Sequence, residues 1–490
     1  MTELRKKSLI DLLYCFLLAV FFLFICSKSS PLYPMNDWVD VNFIFTIGRS
    51  LNTGTILYQE VFDHKGPLLY FVNAFAALVS DSSYFGIWLL EIISITGFFF
   101  FSVKCVRLFT KKDQFLYVLL PIYALLVLTS DTFAHGGSTE ELCLFPLTYS
   151  LYYYLKILNN KEVKQIEHFI VGACVGFVFW TKYTILGMYI GAYLTLLVWV
   201  IIKKDLHKFI NMLKNFAGFL ILTAGILIYF IAHGALYDLW DVYFYCNIFL
   251  YSESVSLFSK IFTAITTVAG TSLVNKWFFI PMYLGFLWML IKKKKESIFC
   301  IISYGTTGVF IFFGAAYYYY SLVLATFGFL ALYVGCEVLS MLFENKKQLK
   351  LSLPTVITST LLCVVLSYFL SGNTYLLQYE KEDMPQFKFA KIIHSVDDAT
   401  MLNYHFLDGG FYFAADYIPR NKYISFTNLP LPAMGEEQDR IVENAEVDFV
   451  ITRNTKLEEY VESPKYTLVA KETFFLEDAY YDYYLYQKID

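Results

Sequence analysis

Charge is scarce in this chain. Only 16% of its 490 residues are Asp, Glu, Lys or Arg, against 57% hydrophobic and 20% aromatic, and the mean hydropathy is +0.52. That balance excludes an ordinary soluble domain, in which about a quarter of residues are charged. Cysteine is also missing from part of the chain: the nine lie in or beside apolar runs, and none follows Cys363. A disulfide framework is therefore excluded, and the cysteine-free C-terminal part fits a bacterial exported domain. No Cys or His spacing resembles a metal-ligand set. Internal repeats and low-complexity stretches are absent too, which removes support for an inverted-repeat transporter.

What the chain has instead is a series of apolar runs long enough to cross a hydrocarbon core of about 30 Å as helices. They lie near 8 to 27, 84 to 103, 115 to 130, 141 to 157, 169 to 181, 187 to 202, 215 to 233, 277 to 291, 298 to 314, 319 to 341 and 352 to 371, eleven in all. The stretch 169 to 202 reads either as two short or tilted helices or as one long one. Lys and Arg mark the loops that stay cytoplasmic. With the N-terminus inside, the inner segments carry 21 of them, including the run at 346 to 350, and the outer loops carry only Lys28, Arg49, Lys65, Lys182, Lys260 and Lys276. MTELRKK with the apolar run behind it reads as a retained anchor rather than a cleaved signal.

Composition breaks at SGNTYLLQYEKEDMP. Residues 1–371 carry a net charge of +6 and all seven tryptophans, whereas 372–490 carry −10. The tail alternates strand-like runs (ATMLNY, VDFVIT, KYTLVA, DYYLYQK) with helix-like stretches (MPQFKFAKIIHSV, GEEQDRIVENA). The expected architecture is a transmembrane helical domain over 1–371 and an extracytoplasmic α/β domain over 372–490.

The first outer loop spends about 56 residues where a connection needs about 4 to 6. PMNDWVDVNFIFTIGRSLNTG reads as a helix on the membrane surface, with Asp37 where an N-cap would fall and Asp40 a turn further on. In YQEVFDHKGPLLYF, Pro67 opens a second surface helix directly after Asp63, His64 and Lys65. The second outer loop, HGGSTEEL, sets Glu140 and Glu141 at the mouth of a span, where carboxylates usually face a cavity. Lys182 interrupts an apolar stretch, and Asp241 and Asn247 lie in a later outer loop.

These segments, with GFVFWTKYTILG and LYDLWDVYFYCNIFLY, resemble the membrane-embedded GT-C glycosyltransferases of family 39. That family includes the protein O-mannosyltransferases and the lipid A aminoarabinose transferases. The resemblance implies a GT-C bundle with juxtamembrane helices on the outer face and a polyprenyl-phosphate sugar as donor. It also implies a catalytic base at the first-loop acid, here Asp37. Where relatives often have Asp-Glu this chain has Asp37-Trp38, and where they have Lys-Pro-Pro it has Lys65-Gly66-Pro67.

The residues agree in kind. A phosphate leaving group departs without a proton, so the reaction needs a base for the acceptor hydroxyl and a cation for the phosphate. The expected catalytic carboxylates are Asp37, Glu140 and Glu141. Lys65, His64 and Lys182 would hold the donor phosphate, and Asp40, Asp63, Asp241 and Asn247 would support them.

An undecaprenyl-phosphate sugar is the expected donor. The acceptor would be an envelope polysaccharide, teichoic acid, glycolipid or protein, at the outer face of a bacterial plasma membrane. No metal is demanded, although the outer carboxylates leave room for a divalent ion. Membrane lipids are expected partners and nucleic acid is not. The competing readings are a transporter or flippase of envelope lipids and a polysaccharide polymerase or ligase.

Overall fold

The computed structural model describes residues 3–204, 206–251, 256–313, 316–343, 352–462, 465–476 and 479–489. The basic run read at 346 to 350 and residue 314, at the end of one predicted span, lie outside the described residues. Helices account for most of the first 370 residues. In order they are α1 (Glu3–Cys26), α2 (Val39–Leu51), α3 (Pro67–Val79), α4 (Phe85–Phe109), α5 (Leu116–Leu128), α6 (Thr139–Leu158), α7 (Gln165–Lys182), α8 (Gly187–Lys203) and α9 (Leu206–Ala232). There follow α10 (Leu257–Val274), α11 (Lys276–Ile291), α12 (Glu296–Ile311), α13 (Phe329–Leu342) and α14 (Leu353–Leu370).

Among the described residues, seven helical stretches are long and apolar enough to cross a membrane: those within α1, α4, α7 to α8, α9, α10, the stretch ending in α13, and α14. Pro121, Pro146 and Pro281 sit inside α5, α6 and α11. Neighbouring helices can satisfy the backbone groups that such prolines free.

Two features bear on the expected spans. The stretch 165 to 203 is helical throughout, broken only by a 3-10 turn at Tyr183–Leu186, and Lys182 sits at the break with extended backbone. Second, α10 occupies a stretch read from sequence as outer loop. Its threonines explain the misreading, because Thr266, Thr267 and Thr271 each turn their hydroxyl back onto a carbonyl of the preceding turn, at 2.8 to 3.0 Å. A hydroxyl bonded in this way no longer opposes an apolar environment.

The chain forms two compact units. One comprises Met1–Ser27, Trp88–Ile226 and Ser254–Thr374, and the other Lys28–Ile87, Leu227–Glu253 and Tyr375–Asp490. In the second unit α2 and α3 form a close pair. A Cβ on Gly48 would come within 2.7 Å of the Asn73 carbonyl carbon and 2.8 Å of the Ala74 nitrogen. We expect Gly48→Val to force the pair apart, at about 1–3 kcal/mol for overpacking. A lowered thermal midpoint, with faster hydrogen exchange in peptides from 39 to 79, would show it.

The C-terminal segment of the second unit builds a four-stranded sheet from β1 (Met401–Asn403), β2 (Phe449–Arg453), β3 (Tyr466–Leu476) and β4 (Ala479–Lys488). The order is β1-β2-β4-β3, with β1 and β2 parallel and the other pairs antiparallel. Two helices, α15 (Pro385–Ile393) and α16 (Pro432–Glu443), complete the expected α/β domain. Leu402, Val450, Tyr484 and Tyr486 pack with Ile441 of α16 in its core.

This domain holds α2 directly. The Thr46 hydroxyl donates to Asp408 at 3.2 Å, Arg49 pairs with Asp416, and Phe45 packs on Phe413. Asp408 also accepts bonds from Asn403 Nδ2 at 2.8 Å and the Gly410 amide at 3.0 Å. Gly410 has φ +94°, and a Cβ there would strike Met35, so glycine is required twice over.

Candidate functional site

The acid singled out at the start of the first outer segment is not the cap of α2. Trp38 occupies the cap position without a side-chain bond, and Asn36 does the local work, its Oδ1 accepting the Trp38 amide at 3.0 Å. Asp37 is instead fully buried against Lys28, with Nζ to Oδ1 2.6 Å and side-chain exposures of 1% and 0%. Its other oxygen accepts the hydroxyl of Tyr375 at 2.6 Å, and Lys28 Nζ also lies 3.2 Å from that hydroxyl. Acid, ammonium and phenol thus form a closed triangle within the second unit. Each carboxylate oxygen has two lone-pair directions, so these bonds leave acceptor capacity on Asp37.

Lys28 and Tyr375 were not anticipated. The signal for Lys28 was its place as a positive charge immediately after the first span, in a segment whose only other lysine is Lys65. Tyr375 has no local signal, since 338 positions separate it from Asp37.

The 63 to 65 triplet closes on itself in the same unit. Asp63 is buried and accepts the Tyr70 hydroxyl at 2.6 Å and the His64 amide at 2.8 Å, while the His64 ring lies 3.2 Å away. Lys65 Nζ stands 3.3 Å from Asp63 and 3.3 Å from Asp40, and its side chain is 27% exposed. His64 does not cap α3, because Gly66 precedes Pro67 in the cap position.

Asn247 joins this cluster through its amide, which donates to the His64 carbonyl at 2.5 Å. It lies on Leu239–Leu250, a run wound as a π-helix, as the bond from the Tyr251 amide to the Cys246 carbonyl at 2.8 Å shows. Such wide turns concentrate at functional sites. Asp241 is half-buried on the same run and outside the Lys65 network.

Burial pushes the Asp63 carboxyl up, but Lys65, then His64 and Tyr70, outweigh it and hold the group well below the usual carboxylate range. A lowered pKa means that the ionised form stabilises the fold. That contribution is complete above the unfolded value of about 4 and is lost as the pH falls below it. Accordingly, the stability gap between wild type and Asp63→Asn should stay constant from pH 8 to about 5 and shrink on further acidification. Thermal melts across that range in detergent measure it, and a gap that widened toward acid would contradict the assignment.

The remaining predicted residues lie in the first unit. Ser138 caps α6, its side chain accepting the Glu141 amide at 3.0 Å, and this places Glu140 and Glu141 in the first turn. Glu140 is taken by Lys182 at 2.6 Å, and the Lys182 ammonium lies over the Tyr320 ring at 3.1 Å. Glu141 faces the other way and accepts the Gly137 amide at 2.9 Å. Glu91 of α4 is a buried acid that the sequence reading passed over; Ser27 spans both its oxygens at 2.8 and 2.9 Å. An acid inside an apolar run was the available signal. Among the described residues no group of three or more His, Cys, Asp and Glu is arranged to hold a metal ion.

No family model and no curated protein sequence matches the chain. Solved structures do. The apo form of ArnT from Cupriavidus metallidurans superposes with TM-score 0.63 at 10% identity, over 99% of this chain and 98% of that one. The fold is that of ArnT. The same enzyme bound to undecaprenyl phosphate matches with TM-score 0.61 at 10% identity, over 96% and 97%. At this identity the likeness is one of fold, and it extends through the C-terminal sheet domain as well as the helices.

Proposed function

We propose that the protein is a membrane glycosyltransferase that takes a sugar from a polyprenyl-phosphate carrier and passes it to a hydroxyl of an envelope polymer, glycolipid or protein. In this reading Asp37 is the base. The acceptor hydroxyl gives its proton to Asp37 and attacks the anomeric carbon, the bond from that carbon to the phosphate oxygen breaks, and the lipid phosphate leaves as an anion onto Lys65. One sugar bond forms as one breaks, with inversion, and no further reactant is needed.

The observation that carries this reading is the contrast between two lysines within an ArnT-like fold. Lys28 is locked on Asp37 at 2.6 Å and buried. Lys65 is held loosely, at 3.3 Å from each of two carboxylates and with more than a quarter of its side chain open. The first suits holding a base in place, and the second suits receiving a phosphate that arrives and departs. That the matched ArnT structure carries undecaprenyl phosphate supports the choice of donor class. His64, against Asp63, would be the second group at the phosphate, and Asn247 would fix the loop that carries both. A bacterial plasma membrane, with this chemistry on its outer face, is the setting that the loop charges suggest.

The test compares surface-glycan composition in a deletion strain carrying no copy, the wild-type gene or Asp37→Asn. Deletion should remove one sugar substitution and wild type should restore it. Asp37→Asn, expressed to the same level in the membrane, should leave it missing. Full restoration by Asp37→Asn would end the proposal.

A further inference from the structure

A cavity of about 330 Å³ opens among the loop-proximal ends of α6, α7, α8 and α9. Gln165 at the start of α7 lines it, whereas Lys182 at the other end of α7 meets Glu140, so the helix separates the two places by roughly 25 Å at 1.5 Å per residue. Its floor is polar and buried. The Tyr153 hydroxyl donates to Asn215 at 3.2 Å and lies 2.5 Å from His168 Nδ1. Cation faces it from the rim: Lys161 lines the cavity, and the Lys214 ammonium holds two lining amides, Gln165 at 2.6 Å and Asn211 at 3.0 Å. Of the carboxylates nearby, Glu167 is already taken by Lys156 at 2.9 Å, and Glu162 is exposed beside Lys161.

The fourth wall is α8, whose Leu196 and Val200 face the cavity while Leu197, Val198 and Ile201 of the same turns are exposed as an apolar surface. A polar pocket with Lys161 and Lys214 at its rim thus adjoins a surface suited to acyl chains. Basic pockets between membrane helices take anionic lipid headgroups by this chemistry. We propose that the cavity binds the phosphate-bearing headgroup of an anionic membrane lipid. Lys161 and Lys214 attract the phosphate, the amides of Gln165 and Asn211 meet the headgroup hydroxyls, and the acyl chains lie along the exposed side of α8. The site is separate from the transfer chemistry and does not depend on it.

Native mass spectrometry of the purified full chain decides the matter, with dioleoyl phosphatidylglycerol, dioleoyl phosphatidylcholine and free glycerol 3-phosphate as probes. Wild type should retain one phosphatidylglycerol in preference to phosphatidylcholine. The Lys161→Gln/Lys214→Gln variant should lose that retention by about thirtyfold, the effect expected of two cations near an anionic headgroup. Lys203→Gln, at the end of α8 but outside the cavity lining, should retain it as wild type does. Equal retention of the two lipids, no loss in the double variant, or the same loss in Lys203→Gln would overturn the proposal. Displacement by millimolar glycerol 3-phosphate would also overturn it, by assigning the pocket to a soluble phosphate.

Discussion

Replacing Lys28 with methionine should destabilise the second compact unit by about 3–5 kcal/mol, the range found when one partner of a buried ion pair is removed. The ammonium and the carboxylate are 1% and 0% exposed and 2.6 Å apart, so neither can turn to water when the other is lost. Methionine keeps the stem volume and removes only the charge. Asp37 then retains a single donor, the Tyr375 hydroxyl at 2.6 Å. Asp37→Leu should cost a similar amount for the opposite reason, since it strands the ammonium. The double variant Lys28→Met/Asp37→Leu should be more stable than either single one, because no uncompensated charge remains. Thermal melts of the four proteins in one detergent close the cycle. Additive losses would show that the pair is not coupled, and the view of Lys28 as the group that holds the base would fall with it.

The cycle concerns residues that were unequally legible in sequence. Asp37 was visible because a long exported loop with an acid at its head asks for an explanation, and Asp63, His64 and Lys65 because they crowd the start of a proline-initiated helix. The strands and helices of the C-terminal domain were legible for a different reason: short runs such as VDFVIT and DYYLYQK are rich in the β-branched and aromatic residues that strands favour, and they became β2 and β4.

Sequence failed where the deciding interaction is distant or masked. Tyr375 reaches Asp37 across 338 positions. The cap of α2 was misassigned because Asn36, one residue earlier, supplies the local hydrogen bond and frees Asp37 for a tertiary partner. Helix α10 was missed because hydropathy counts each threonine as polar whether or not its hydroxyl is bonded to the preceding turn. It ends at Val274, and Asn275, whose backbone amide bonds the Thr271 carbonyl at 2.9 Å, is the one residue before α11 begins.

Lys65→Ala should weaken use of the lipid donor by about 10- to 100-fold in kcat/KM, the equivalent of one charge-assisted hydrogen bond to phosphate of about 1.5–3 kcal/mol. The distribution between the two constants is informative. If Lys65 grips the phosphate equally in ground and transition states, KM rises alone; if it meets the charge that develops on departure, kcat falls with kcat/KM. The second pattern is expected. In the resting state the ammonium is already shared between Asp40 and Asp63 at 3.3 Å each, and a more negative leaving group competes better for it.

Asp40→Asn sharpens the test. It removes one competing carboxylate from a side chain that keeps Asp63 for orientation, so donor binding should tighten or stay level while Asp37 is untouched. Lys65→Arg should retain part of the activity, since the charge survives but the compact ammonium geometry does not. Steady-state kinetics with a polyprenyl-phosphate sugar, together with equilibrium binding of undecaprenyl phosphate alone, separates the terms. Lys65→Ala with unchanged binding and unchanged kcat would move the phosphate elsewhere and leave Lys65 as a strut between Asp40 and Asp63.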